Sequence, residues 1–226
     1  MRYAFAVQRS EMTERSYVPA LGFHSLTRFY DPLIAMSMRE TALKGRLVEQ
    51  AAIVPRHDVL DVGCGTGTLA MIAKARHPEA RIVGLDGDPE VLGIARRKIE
   101  RAHLDIALHQ GLADDGSIFA PASFDRILTS LLLHHLPAAQ KRLALKAMRT
   151  WLRPNGELHV LDFGPQDGLF LGLLARGVGW LDGVAGLRDN WDGRLPNMMR
   201  DAGFDRAHET GRALTLFGSV SFYAAP

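Results

Sequence analysis

The chain has 226 residues, 47% of them hydrophobic and 23% charged, with a formal net charge of +2 at pH 7. That is enough for one full-size domain with a substantial core, and the composition is that of an ordinary globular protein. The near balance of charge requires neither nucleic acid nor an anionic membrane as partner, and a single cysteine, Cys64, excludes an internal disulfide and a cysteine-based metal site. No run reaches the roughly 18 apolar residues of a membrane span. The start, MRYAFAVQRSEMTERS, carries acids too early for a secretory signal, so a cytoplasmic location is the default expectation.

Residues 1–20 mix arginines, glutamates and aromatics without a clear period and read as an extension. Leu21, Phe23, Leu26, Phe29 and Tyr30 are spaced for a short helix that stops at Asp31-Pro32. A second helix is predicted over 33–53, with Leu43, Leu47 and Val48 on one face. Together, residues 1–54 are expected to form an extension and helices that cover a site in a domain spanning 55–226. From there strands and helices alternate. Strands are predicted at 57–62, 81–86, 105–110, 124–130 and 157–162. Helices are predicted at 67–77, 89–102 and 138–152, with a loop or short helix over 113–121. The last of these helices is left at Pro154-Asn155-Gly156. Such alternation means βαβ units and a parallel sheet. Helical regions around 166–176 and 193–202 come next, and strands at 204–210 and 213–223, joined by the turn Thr210-Gly211-Arg212, must pair as an antiparallel hairpin.

The organising stretch is Val59 to Ala70, VLDVGCGTGTLA. A short apolar strand runs into Gly63, Gly65 and Gly67 and then into a helix. Free backbone N–H groups at a helix N-terminus, with no Cβ in the way, suit a nucleotide-like ligand. No lysine follows the glycines, so this is not a P-loop. The dinucleotide fingerprint needs a third glycine where Thr68 stands. The pattern Asp-x-Gly-x-Gly-x-Gly resembles motif I of class I S-adenosylmethionine-dependent methyltransferases. The resemblance implies that Asp61 lies near the methionine ammonium and that Gly63, Cys64, Gly65 and Gly67 form the turn accommodating the cofactor. The Cys64 side chain itself is expected to be a small buried filler.

Three later landmarks keep the family's order. RIVGLD ends in Asp86, 19 residues after Gly67, where an acid can accept from both ribose hydroxyls, with Gly87 beside it. Asp88 with Pro89 reads instead as a helix N-cap. HQGLADDGSIFAPASFDRILTSLLLHHL, residues 109–136, resembles the segment after strand 3 together with motif II, in which a loop brackets the adenine. Many relatives place an aspartate directly after the glycine, and here that position is Leu112. Backbone groups of Leu112 and Ala113 can still bond the base, while Asp114 and Asp115 are candidates for the missing role or solvated loop acids. The strand ending at Ser130 delivers Ser130, Leu131 and His134 to the carboxyl edge of the sheet, where ligands of open α/β sheets bind. LRPNGELHVLDFG resembles motif III and ends in Asp162. The resemblance implies a Rossmann-like α/β fold: a mostly parallel seven-stranded sheet with a C-terminal antiparallel hairpin and helices on both faces. It also implies S-adenosylmethionine as cofactor.

Methyl transfer from a sulfonium is an in-line displacement, helped by placing the acceptor in a dry pocket. A base is needed only when the nucleophile must lose a proton. His134 is the first candidate, followed by His135, Asp162, Tyr30 and His24. Tyr30 also resembles a family tyrosine near the methionine carboxylate. The sequence has no Asn/Asp-Pro-Pro-Tyr/Phe tetrapeptide for amino groups on nucleobases, no Pro-Cys nucleophile, and too few thiols for arsenic. A small-molecule acceptor is therefore expected, with no nucleic-acid partner and no metal. The overall pattern, including FYDPLIAMSM, resembles the broad group that contains ubiquinone/menaquinone biosynthesis C-methyltransferases and natural-product enzymes. The insert GLFLGLLARGVGWLDGVAGLRDNWDG can form an apolar lid or a homodimer face, or pack on the sheet. Two other functions stay open: aminopropyl transfer from decarboxylated S-adenosylmethionine, and a non-catalytic cofactor-binding regulator.

Overall fold

The computed structural model describes residues 40–166, 185–215 and 218–226. The described elements are α1 (Glu40–Gln50), β1 (Asp58–Val62), α2 (Thr68–Arg76), β2 (Arg81–Asp86), α3 (Pro89–Arg101), β3 (Ile106–Gln110) and β4 (Phe124–Ser130). They continue with a 3-10 turn (Leu133–His135), α4 (Ala138–Trp151), β5 (Leu152–Phe163), α5 (Ala185–Trp191), α6 (Leu195–Asp201), β6 (His208–Thr215) and β7 (Gly218–Ala225). The seven strands form one sheet in the order β3-β2-β1-β4-β5-β7-β6. β1 pairs in parallel with both β2 and β4, and β5 and β6 pair antiparallel with β7. The strand order therefore reverses at β1, which opens a crevice between the carboxyl ends of β1 and β4.

The period-2 alternation of each strand sorts its side chains between two apolar layers. Val59, Ile82, Leu128, Leu161 and Phe222 pack against Leu47 and Val48 of α1 and Leu69, Ala70 and Ala73 of α2. Leu60, Val62, Ile127, Leu158, Val160 and Tyr223 pack on the opposite face, against Ala144, Leu145, Met148 and Trp151 of α4 and Met198 and Met199 of α6. The same alternation sends Asp61 toward the α1/α2 layer and Asp162 toward the α4 layer. Both lie at the carboxyl edge. Trp151 is fully buried, and its indole N–H donates to the Gly116 carbonyl at 3.1 Å, tying the 113–121 loop to α4.

The structure corrects two boundaries. Thr210-Gly211-Arg212 is not the hairpin turn but lies inside β6, where Glu209 faces Tyr223 and Gly211 faces Phe222, leaving Thr210 as a bulge. The Arg46 guanidinium lies over Gly211, which sits within the strand beside the bulge rather than at a chain reversal. Likewise β5 follows α4 at once. Phe124 faces Leu152 and Arg126 faces Glu157, so residues 153–156 arch out of the ladder. The arch is held by Arg153, which binds Asp58 at 2.6 Å and also Asp125. Helix α5 was not predicted as a separate element. The expected helices at 21–30 and 166–176, and most of the apolar insert, lie outside the described residues.

Candidate functional site

After Val62 the chain enters left-handed backbone at Gly63 (φ +70°), Gly65 (φ +54°) and Gly67 (φ +82°), a conformation that L side chains adopt only under strain. The Gly63 and Cys64 N–H groups donate to the Leu85 carbonyl at 2.8 and 3.0 Å, pinning the turn to β2. Each glycine has its own reason. A Cβ on Gly63 would meet Leu132 at 2.8 Å, and one on Gly67 would meet Ala95 of α3 at 3.3 Å. A Cβ on Gly65 would meet nothing within 4 Å, so the turn is open to a ligand at that point. Cys64 is buried beneath it, with Sγ 2.9 Å from the Cβ position of Gly84. Burial pushes its thiol well above the usual range, as fits a filler.

Two carboxylates flank this turn. Asp86 accepts from the Gly65 N–H at 2.8 Å through Oδ2 and from the Asp88 N–H at 3.0 Å through Oδ1. A carboxylate oxygen accepts more than one donor, so both can still receive ribose hydroxyls. Burial, partly opposed by these N–H groups, raises the Asp86 carboxyl above its ordinary value. Asp88 is the N-cap of α3, accepting from Glu90 and Val91 N–H at 2.8 and 3.3 Å. Asp61 is 1% exposed; Oδ2 accepts from the Ala70 N–H at 3.1 Å, while the buried Oδ1 has no hydrogen-bond partner among the described residues. Burial pushes this carboxyl up to about 7, against the pull of the Lys44 ammonium from α1. Lys44 is itself paired with Glu40. A buried acceptor lacking a donor beside an open glycine turn fits a cationic ligand.

Beyond β4 the chain turns sharply. Ser130 is nearly buried, and Leu131 takes φ +56°, left-handed backbone for a bulky residue, with its N–H held by the Leu161 carbonyl at 2.8 Å. Such outliers cost about 1–3 kcal/mol and cluster at functional sites. Asp162, fully buried at the end of β5, anchors the 3-10 turn that comes after Leu131. Its Oδ2 accepts from the Leu133 and His134 N–H groups at 2.7 and 3.3 Å, and its Oδ1 from the Phe163 N–H at 2.7 Å and from His134 Nδ1 at 2.8 Å. Although burial opposes it, the histidine and these donors hold the Asp162 carboxyl below its ordinary value. Asp162 is thus ionised and can only accept, which assigns the proton to Nδ1 of His134 and leaves Nε2 as the basic nitrogen. The His134 ring also stacks tilted on His135, centroids 3.9 Å apart, and lies perpendicular to the Phe163 ring, centroids 4.8 Å apart.

The structure therefore places Asp61, Gly63, Cys64, Gly65, Gly67, Asp86 and Gly87 around one turn. The Leu132 side chain covers Gly63, and its carbonyl accepts the His135 N–H at 3.0 Å, joining the glycine turn to the 3-10 turn. Leu112 and Ala113 follow β3, where the Gly111 N–H reaches the Asp86 carbonyl at 3.0 Å. Asp115 folds back on Ser117, accepting from its N–H at 3.0 Å and its hydroxyl at 2.7 Å. Tyr30 and His24 lie outside the described residues. Sequence reasoning missed Lys44, which faces Asp61, the strain at Leu131, and the buried pair Lys141–Asn190. Only Lys141 left a trace: it falls on the apolar stripe of α4 with Ala144, Leu145, Met148 and Trp151.

Residues 59–156 match the family described as methyltransferase domain. An uncharacterized methyltransferase of Synechocystis sp. is 31% identical over 141 residues, 59% of this chain and 63% of that protein. A demethylmenaquinone methyltransferase of Thermus thermophilus is 35% identical over 119 residues, 52% of each. The chain thus spans between half and two thirds of these relatives' length. The crystal structure of an S-adenosylmethionine-dependent methyltransferase from Aquifex aeolicus superposes with a TM-score of 0.64 at 15% identity, covering 88% of this chain and 96% of that one. Residues 59–156 thus match a methyltransferase-domain family, and the seven-stranded sheet shares the fold of that solved structure.

Proposed function

We propose that the chain transfers the methyl group of S-adenosylmethionine to a small-molecule acceptor at a carbon, oxygen or nitrogen atom. Quinol-like and phenolic molecules are the first class to try, a choice supported by the demethylmenaquinone methyltransferase among the relatives. The observation that carries the reading is the pairing, at one sheet edge, of the open Gly65 turn between Asp61 and Asp86 with the His134–Asp162 couple.

The bound cofactor supplies a methyl group on a sulfonium, an excellent leaving group. Asp61 compensates the methionine ammonium with its unpartnered Oδ1, and Asp86 accepts from the ribose. Gly63, Cys64, Gly65, Gly67 and Gly87 offer backbone at close approach, and Leu112, Ala113 and Ser130 line the base and the cleft. Tyr30 is proposed at the methionine carboxylate. On the acceptor side, Nε2 of His134 takes the proton that an O–H or N–H nucleophile loses as it attacks, or that a methylated carbon loses afterwards, and Asp162 holds the resulting imidazolium in place. Lys44 facing Asp61 from α1 supports the view that residues 1–54 close this edge.

The test is release of S-adenosylhomocysteine against a panel of quinols, phenols, amines and thiols. His134→Gln is expected to lower kcat by about 100-fold or more for an acceptor that must lose a proton, with cofactor affinity retained. Equal turnover of the variant on such an acceptor would remove His134 from the chemistry.

A further inference from the structure

The α4 helix carries a lysine where an apolar residue belongs. The Lys141 side chain is fully buried, and burial pushes its ammonium below the ordinary lysine value, opposed by the Asp189 and Asp162 carboxylates. Its Nζ donates to the Gly186 carbonyl at 2.8 Å and to Asn190 Oδ1 at 2.7 Å, and it stands 3.8 Å from Asp189 Oδ2. All three partners belong to α5. Desolvating a lone ammonium costs several kcal/mol, and a well-packed apolar side chain would stabilise the fold as well or better. The lysine is therefore weak as a stability device, and its geometry indicates what else it does.

Asn190 is also fully buried, and it uses its other half: Nδ2 donates to the Phe163 carbonyl at 3.1 Å. Phe163 directly follows Asp162, gives its N–H to Asp162 Oδ1 and packs its ring perpendicular to that of His134. At the other end of α5, Gly186 lies against the strand-to-helix turn so closely that a Cβ there would collide with the His134 carbonyl and stand 2.8 Å from that of Leu136. Thus α5 touches both the peptide after Asp162 and the peptide of His134, and Lys141 clamps it there.

We propose that Lys141 and Asn190 form a latch that positions the His134–Asp162 couple, making Lys141 a positioning residue for the reaction. Its catalytic meaning rests on the reading of His134 as the base, whereas its structural effect on the couple does not. The latch fixes α5 against α4, α5 fixes the β5 end, and the β5 end sets the orientation and tautomer of the imidazole.

The experiment uses the full chain and reads the ring nitrogen chemical shifts of His134, assigned by their loss in His134→Gln. In the wild type they report a hydrogen-bonded Nδ1–H and a bare Nε2. In Lys141→Met the shifts are expected to move toward averaged tautomers, with S-adenosylmethionine affinity, measured by calorimetry, held within about twofold. Asn190→Asp keeps an acceptor for Lys141 but loses the donor to Phe163, and is expected to do the same, which covers the case in which Lys141→Met fails to fold. On whichever acceptor supports turnover, kcat falls by roughly tenfold at unchanged cofactor KM, and adding Lys141→Met to His134→Gln causes no further loss. Unchanged His134 shifts in the folded variants would overturn the latch, as would a parallel collapse of cofactor affinity or additive losses in the double variant. If His134→Gln alone leaves turnover intact while Lys141→Met still perturbs the imidazole, the base assignment falls and the latch stands.

Discussion

Asp61 and Asp86 flank the same turn but stand in different states, and this separates their expected behaviour. Asp86 is satisfied by the Gly65 and Asp88 N–H groups, so Asp86→Ala removes acceptors from the ligand and also frees the Gly65 N–H. Charge-assisted hydrogen bonds contribute about 1.5–3 kcal/mol each, so the S-adenosylmethionine Kd is expected to rise at least about tenfold by calorimetry. An unchanged Kd would remove Asp86 from the site. Asp61 instead holds its carboxyl near 7 because one oxygen is buried without a donor and Asp86 is close by. A ligand ammonium arriving beside it lowers that value, so binding below pH 7 releases a proton. Calorimetry at pH 6.5 in two buffers of different ionisation enthalpy should give different apparent binding enthalpies, and Asp61→Asn should abolish the difference. Buffer-independent enthalpies in the wild type would contradict an ammonium at Asp61.

At the scale of the elements, the glycines are constrained by their neighbours as much as by their own backbone. Gly84 in β2 has negative φ and could be alanine by conformation, yet its Cβ would lie 2.9 Å from both Cys64 Sγ and Leu108 Cδ2. Gly84→Ala is expected to destabilise the fold by about 1–3 kcal/mol through overpacking, read as a lower Tm, and Cys64→Ala should restore part of the loss. Asp88→Ala tests the cap of α3 and should cost about 1 kcal/mol. Strands with period-2 patterning and helices bounded by Pro or Gly were legible in the sequence because the local rule and the tertiary environment agree, as for Arg81–Asp86 and Pro89–Arg101. Gly211 and Gly156 misled because a glycine in a turn and a glycine at a bulge look alike without the partner strand. Asp61, Gly65 and Asp86, which meet around one turn, were proposed from their spacing together with the resemblance to the family's motifs. Lys44 and Asn190 were not, since their meaning comes from contacts with residues 17 and 27 positions away, Asp61 and Phe163.

At the scale of the molecule, His159 and Asp61 are buried groups among the described residues with opposing pH dependences. Burial pushes the His159 imidazole down to about 4, against the Glu157 carboxylate, and its Nδ1 sits 3.2 Å from Gln50 Nε2. The group is neutral in the fold. Its contribution is complete above the unfolded value near 6.5 and is lost as pH falls toward about 4. Asp61 runs the other way: its penalty is absent below the ordinary carboxylate value and grows as pH rises toward about 7. At about 1.4 kcal/mol per unit, the two effects are on the order of 3 to 5 kcal/mol and partly cancel between pH 4 and 6.5. Relative to the wild type, His159→Gln should therefore gain stability at pH 5 compared with pH 7 in thermal unfolding. A pH profile identical to the wild type would show that His159 is not held neutral. Among the described residues no helix is long and apolar enough to cross a membrane.

The central claim is that the crevice between β1 and β4 passes a methyl group to a small molecule. The most direct measurement incubates the chain with methyl-labelled S-adenosylmethionine and the quinol, phenol, amine and thiol panel, alongside protein and RNA substrates. The label is expected in a low-mass organic product, with one S-adenosylhomocysteine formed per methyl group transferred. Label recovered only in protein or RNA, or cofactor bound with no S-adenosylhomocysteine formed on any acceptor, would contradict it.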